Sequence, residues 1–380
     1  MEPNKNTSVF LRDVANIVMG QSPAGSSYNP NEGIEFHQGK SYFGEVLLDR
    51  SPVKTTQPTK FAQDGDIVIC VRAPVGIVNI TDRKICIGRG LASISAKDSI
   101  DQRFLFYLIQ SKKKVIEILA SGSTFSCISG PQLSELMLDI PSKDKQSVIS
   151  KALYSLEKHI SNLEQLIRKQ ESIKKTTLKL LLEPKSDWDV FCLGQLGIFY
   201  GGLSGKTKND FIEGNAKYIT YNNVYKNIII NPDQLAYVKI SSAEHQNEVY
   251  YGDILFTQSS ETVEEVGFSS AYLLETPCYL NSFCFGFRPN KDRIDSVFFA
   301  YFTHSNLVRK EIMKAAQGIT RINLSAERLK KIKVHLPDIQ TQKRIAAQLS
   351  EIDAHIDNLK QQLAKQRAIK QGLMDYFFGN

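Results

Sequence analysis

Apolar residues recur at alternating gaps of four and three through Ile149, Leu153, Leu156, Ile160, Leu163 and Ile167, with polar residues between them. That spacing predicts a long helix packed lengthwise on another helix. The seam returns as Ile345, Leu349, Ile352, Ile356, Leu359 and Leu363, each 196 residues after its counterpart. Gln170 and Gln366 interrupt the two copies at matching places, and pairing between them is expected to fix helix register.

Each seam follows a segment with shorter periodicities. In residues 1–140, Gln21-Ser22-Pro23 and Asn29-Pro30 signal turns, and Gly65-Asp66 launches a strand from Ile67 to Val71. Ile85 to Ile87 reads as another strand, Phe104 to Ala120 as one amphipathic helix, and Met137 to Ile140 as a last strand. The first long helix is expected within residues 141–185, with Ser142 as N-cap and Pro184 forbidding continuation. Residues 186–336 repeat the plan: Gly252-Asp253-Ile254-Leu255 matches Gly65-Asp66-Ile67-Val68, and Phe298 to Ala316 matches the earlier helix. The second long helix then occupies residues 337–380, stopped by Gly379. The expected fold class is α+β: two globular mixed α/β domains separated by two long antiparallel coiled-coil helices, in a pseudo-twofold internal repeat. Antiparallel pairing is expected because a compact second segment returns the chain near its own start. The globular segments would then lie at opposite ends of a rod about 57 Å long, a span of about 17 base pairs.

Composition narrows the class. With 42% hydrophobic and 23% charged residues the 380-residue chain is globular and large enough for two or three domains. No apolar run reaches the roughly 20 residues of a membrane span, and Met1 to Ser8 lacks the apolar core of an export signal. Cys70, Cys86, Cys127, Cys192, Cys278 and Cys284 form no C-x-x-C pair and read as reduced, buried thiols of a cytoplasmic protein. The six histidines show no ligand spacing, so no metal site is expected, and the net charge of +7 suits a polyanionic partner.

Catalytic signatures are missing. Gly201-Gly202-Leu203-Ser204-Gly205-Lys206-Thr207 resembles a phosphate-binding loop, but Tyr200 stands where the first glycine belongs. It remains either an exposed loop touching DNA phosphates or a plain turn. Asn29-Pro30-Asn31 and Asn231-Pro232-Asp233 fail the adenine-methyltransferase motif, and Glu183-Pro184-Lys185 lacks a nuclease's upstream acid.

The order of parts is similar to the specificity subunit (HsdS) of type I restriction–modification systems. The double Pro-x-x-x-x-Gln, Pro141 with Gln146 and Pro337 with Gln342, carries the resemblance most specifically. Gly65 to Gly76 with Ile87 to Gly90, Tyr221 to Tyr225, Tyr279 to Phe283, and Met19 to Pro23 add to it. The resemblance implies a non-catalytic subunit of a bacterial, cytoplasmic complex, with two target-recognition domains, residues 1–140 and 186–336. Each would read one half of a bipartite, asymmetric double-stranded DNA target, and the helices would set the gap. Two methyltransferase subunits would bring S-adenosylmethionine, and restriction subunits ATP and Mg; the chain itself would bind no cofactor. The alternatives are a freestanding sequence-specific DNA-binding regulator and a structural coiled-coil adaptor that binds only proteins.

Base reading needs polar side chains on loops. Candidates in the first domain are Gln21, Ser22, Lys40, Arg72, Arg89, Ser123 and Thr124. In the second they are Ser204, Lys206, Tyr221, Asn222, Asn223, Gln258, Ser259, Ser260, Arg321 and Asn323. Arg168, Lys169, Lys174, Lys175 and Lys179 form a basic run on the first long helix, either a solvated face or one that meets DNA backbone or, as the resemblance favours, the methyltransferase subunits.

Overall fold

The computed structural model describes residues 6–120, 126–318 and 320–379. The chain divides into two compact units, Met1–Gln165 with Gln361–Asn380, and Leu166–Lys360, so each unit takes a globular part and half of both long helices.

In the first unit, Ile67–Cys70 is a wholly buried run of apolar, largely β-branched residues. It lies inside an antiparallel sheet of order Ala15–Met19, Leu91–Ala96, Ile67–Cys70, Val78–Ile80. A five-stranded sheet runs in the order Tyr28–Asn29, Lys54–Thr55, Ile34–His37, Ile85–Ile87, Phe61–Ala62. Thr7–Phe10 pairs with Met137–Ile140. The second unit carries sheets of order Gly197–Gly201, Cys284–Pro289, Ile254–Thr257, Ser269–Ala271 and Leu235–Val238, Ala216–Ile219, Cys278–Leu280, Glu248–Val249. Asp189–Cys192 pairs with Lys333–Leu336 there.

The Gly-Asp motif is structural in both units. Gly65 and Gly252 adopt φ of 84° and 93°, a region that glycine enters at little cost. Buried Asp66 accepts from the Gln63 amide (2.8 Å) and the Ser93 and Ser95 hydroxyls. Asp253 accepts from the Tyr250 amide (2.9 Å), the Tyr200 hydroxyl (2.5 Å) and the Arg288 guanidinium.

The helix expected over Phe104 to Ala120 is two, Gln102–Ser111 and Lys113–Ala120; its counterpart is Ser296–Thr303 and Asn306–Ala315. Serine makes both breaks: Ser111 Oγ bonds back to the Leu108 carbonyl, and Ser305 caps the helix that follows it.

The Pro-x-x-x-x-Gln motif clamps these hairpins to the long helices. Gln146, 2% exposed, accepts from the Asp101 amide (2.9 Å) and donates to the Pro141 carbonyl (2.9 Å). Gln342, 1% exposed, accepts from Asp295 (3.0 Å) and donates to Pro337 (2.8 Å) and Arg293 (2.9 Å). The amide side chain is the right length to serve a helix N-terminus and the neighbouring cap at once.

Lys143–Leu182 and Ile339–Phe378 are the long helices, 40 residues each. They run antiparallel in each unit. In the first, Lys370 meets Glu157 at 2.6 Å and Arg367 meets Glu164. In the second, Lys174 meets Asp353 and Lys360 meets Glu171 at 2.8 Å. Adding or subtracting 196 turns each pair of the first unit into one of the second. Tyr107 donates to Glu157 and Tyr301 to Asp353, both at 2.7 Å.

Ile149, Leu153, Ile160, Leu163, Ile167, Ile345, Leu349, Ile356 and Leu359 are buried; Leu156, Ile352 and Leu363 are half-buried. The expected pairing of Gln170 with Gln366 is not formed. Glu171, beside Gln170, faces Lys360, while Arg367, beside Gln366, faces Glu164, so an antiparallel register gives each glutamine a different opposite. Of the cysteines, Cys127 is exposed and Cys192 half-buried rather than buried. No helix among the described residues is long and apolar enough to cross a membrane.

Replacing Gln146 by alanine strands a buried amide and a carbonyl, so Gln146→Ala and Gln342→Ala should each lower unfolding free energy by about 2 kcal/mol in urea titrations. Unchanged midpoints would contradict the clamp.

Candidate nucleic-acid interface

At one edge of each unit, six backbone hydrogen bonds hold five segments of the chain together. In the first, Gly20 donates to Leu91, Gln21 to Ile87, Gly88 to His37, Leu91 to Gly88, Val71 to Gly90, and Ile128 to Val71, all within 2.7–3.0 Å. In the second, Gly202 donates to Cys284, Leu203 to Leu280, Asn281 to Ile219, Cys284 to Asn281, Gln258 to Phe283, and Leu324 to Gln258, within 2.7–3.2 Å. These are the same six bonds. Even the tight approach is repeated: a Cβ on Gly20 would lie 2.2 Å from the Gly88 oxygen, and one on Gly202 2.2 Å from that of Asn281.

The first edge is cationic. Lys40, Lys60, Arg72 and Arg89 are exposed and form no ion pair with the described residues. Asp66 is occupied by serine hydroxyls and the Gln63 amide rather than by Arg72. Ser22 Oγ accepts the Arg89 amide at 3.3 Å, fixing the Gly88-Arg89-Gly90 tip, and Thr59 donates to the Gln21 carbonyl.

Behind this edge a charge cluster ties Ile34–His37 to the 48–51 loop. Arg83 grips Glu35 with two nitrogens, at 2.7 and 2.6 Å, and donates to the Leu48 and Asp49 carbonyls. Burial alone would raise the Glu35 carboxyl, but hydrogen bonds from Arg83 and the Ser51 amide outweigh it and hold the pKa down at about 2. Burial lowers the pKa of His37, which lies against Glu35.

The second edge carries no cation at the matching places. Its exposed side chains are Asn222, Gln258, Ser282 and Phe283, with Phe283 55% exposed. Arg321 and Asn323 join them through the pairing of Ser259–Ser260 with Ile322–Asn323.

A family model for the type I restriction modification DNA specificity domain matches residues 3–175 and, a second time, 185–366. The chain belongs to that family. A putative type I restriction enzyme specificity subunit, MjaX of Methanocaldococcus jannaschii, is 43% identical over 176 residues, 44% of this chain and 40% of the relative. The match therefore spans about two fifths of that relative's length. The MjaVIII specificity subunit of the same organism is 20% identical across 97% of this chain and 90% of its own. The S subunit structure from M. genitalium superposes with a TM-score of 0.66 at 19% identity, covering 100% of this chain and 98% of that one. HsdS from Thermoanaerobacter tengcongensis gives 0.50 at 16%, covering 100% and 97%. At these identities the structural likeness is one of fold.

Of the candidates in the first specificity domain, Gln21, Ser22, Lys40, Arg72 and Arg89 gather at the cationic edge, while Ser123 and Thr124 lie outside the described residues. In the second, Asn222, Gln258, Arg321 and Asn323 reach solvent at or beside the matching edge, and Ser204 is exposed with its amide on Gln246 (3.1 Å).

Five expectations are corrected. Lys206, its side chain 6% exposed, commits its ammonium to Glu244 and the Lys239 carbonyl instead of presenting it to solvent. Tyr221 is half-buried and donates to the Ser259 carbonyl (2.7 Å). Asn223, fully buried, bridges the Asn231 backbone. Ser259 has a buried hydroxyl, and Ser260 points inward to Glu265 (3.2 Å). The sequence reading missed Lys60, whose carbonyl accepts the Ile87 amide, and Ser282 and Phe283, which matching the hydrogen bonds loop by loop puts at the edge.

The depressed Glu35 pKa fixes a pH dependence. Its contribution to stability is complete above about 4.5 and lost as pH falls from there towards about 2. Glu35→Gln should destabilise the first domain at pH 7 and flatten its acid unfolding profile over that window. An unaltered profile would show that Glu35 carries no such load.

Proposed function

We propose that this chain is the DNA-recognition subunit of a type I restriction–modification complex, with each specificity domain binding one half of a bipartite, asymmetric target. The observation that carries the reading is a repeated loop frame with two unlike surfaces, one with Lys40, Arg72 and Arg89 where the other has uncharged residues. Duplicated frames keep a shared docking geometry, while unlike side chains read unlike sequences. The recognition domains correspond to residues 1–140 and 186–336, and the antiparallel long helices set the unspecified gap.

Catalysis belongs to partners in this reading. Two methyltransferase subunits, using S-adenosylmethionine, dock on the helices. The exposed Arg168, Lys169, Lys175 and Lys179 face is their natural contact, whereas Lys174 is committed to Asp353. Restriction subunits add ATP- and Mg-dependent cleavage, and this chain holds no cofactor.

Methylation mapping in cells carrying the chain with its methyltransferase tests this. The expected product is one two-part motif with an unspecified centre. A continuous motif, or tight specific binding in gel shifts unaffected by the methyltransferase, would favour a freestanding regulator instead.

A further inference from the structure

Because the six hydrogen bonds match, the two edges are comparable residue by residue. His37 corresponds to Ile219, so Lys40 falls on Asn222; Val71 corresponds to Gln258, so Arg72 falls on Ser259; Gly88 corresponds to Asn281, so Arg89 falls on Ser282. Three exposed cations of the first domain are three uncharged residues in the second. The backbone around them is held alike, so the difference lies in the side chains and in what they can bind.

Arginine and serine differ most in the groove. The guanidinium fork matches the two acceptors that guanine alone shows in the major groove, O6 and N7, whereas a hydroxyl discriminates weakly. A phosphate contact positions a protein without reading its sequence. Arg89 stands at the tip of a three-residue turn between two glycines. Gly88 and Gly90 are both buried, and a Cβ on Gly90 would lie 2.2 Å from the Gln38 oxygen. Arg72 extends from the end of the central strand, and its backbone bridges to Cys127. Both are thus exposed side chains on rigid backbone, free of internal ion partners among the described residues.

The geometry points to Arg72 and Arg89 as guanine-reading residues, so that the first domain's half-target contains guanine contacted by arginine. The second domain reads its half without cations at these three places, through Asn222, Ser282 and the exposed Phe283 ring. Arg321 reaches that edge from a different loop, beside Asn323. This rests on the DNA-specificity reading and deepens it.

The test uses the full chain assembled with its methyltransferase subunits. Motifs are mapped for wild type, Arg72→Gln and Arg89→Gln, with thermal unfolding compared to show intact folds. The expected result is a loss of roughly tenfold to hundredfold in methylation at sites keeping one particular guanine. Preference relaxes or shifts at that position alone, the other half being unchanged. Asn222→Ala and Ser282→Ala should alter only the other half. Should a glutamine variant unfold, Arg89→Lys keeps the charge and should weaken the same position. Uniform weakening at every sequence, with the salt slope reduced by about one, would mean a phosphate contact and overturn the proposal. So would a change in the half that Asn222→Ala affects. A wild type giving no two-part motif would sink the DNA-specificity reading itself.

Discussion

Antiparallel register between the long helices is the constraint on which the repeat rests. Glu157 with Lys370 and Asp353 with Lys174 are one interaction written twice, each reinforced by a tyrosine hydroxyl from the adjoining helix hairpin. Exposed ion pairs stabilise little. Glu157 is only 7% exposed in its side chain, however, so leaving it unpaired would be costly, and slipped registers are penalised accordingly. The apolar seam supplies cohesion and the charges supply alignment. At the neighbouring rung polarity reverses, Glu164 with Arg367 against Lys360 with Glu171, which keeps attraction while letting the sequence diverge.

From that register the rest follows outward. Gln146 and Gln342 fasten each long helix to the cap of a helix hairpin, and the hairpin packs on the sheet whose strands end in the candidate loops. Loop backbone is therefore positioned by buried structure, while loop side chains are left to vary. Asp66 and Asp253 illustrate the freedom allowed: both accept a turn amide, yet serine hydroxyls complete one site and a tyrosine and an arginine the other.

The long helices were legible because a seam needs only period and polarity, both local properties of sequence. The Gly-Asp turns were legible because positive φ demands glycine. Candidate loops were harder. The matching offsets at the edge are 182, 187 and 193, with 196 kept only between Ile128 and Leu324, so the equivalence of Arg89 with Ser282 appears only through hydrogen bonds. Polar residues also mislead where the interior uses them. Asn223 and Lys206 look like surface chemistry in sequence, yet each is consumed by other residues that the fold brings in, Asn231 and Glu244. The Gln170–Gln366 expectation failed for a related reason, since position within a repeat does not say which stretch lies opposite.

The central claim is that the helix pair fixes a distance while the domains fix what is read. Its most direct measurement is the methylation motif after adding one helical turn to both long helices, following Gln165 and Lys360, where the compact units divide. A turn adds about 5.4 Å, one to two base pairs of duplex at about 3.4 Å each. The account predicts a longer unspecified gap with both half-targets intact. An unchanged gap, or altered half-targets, would contradict it.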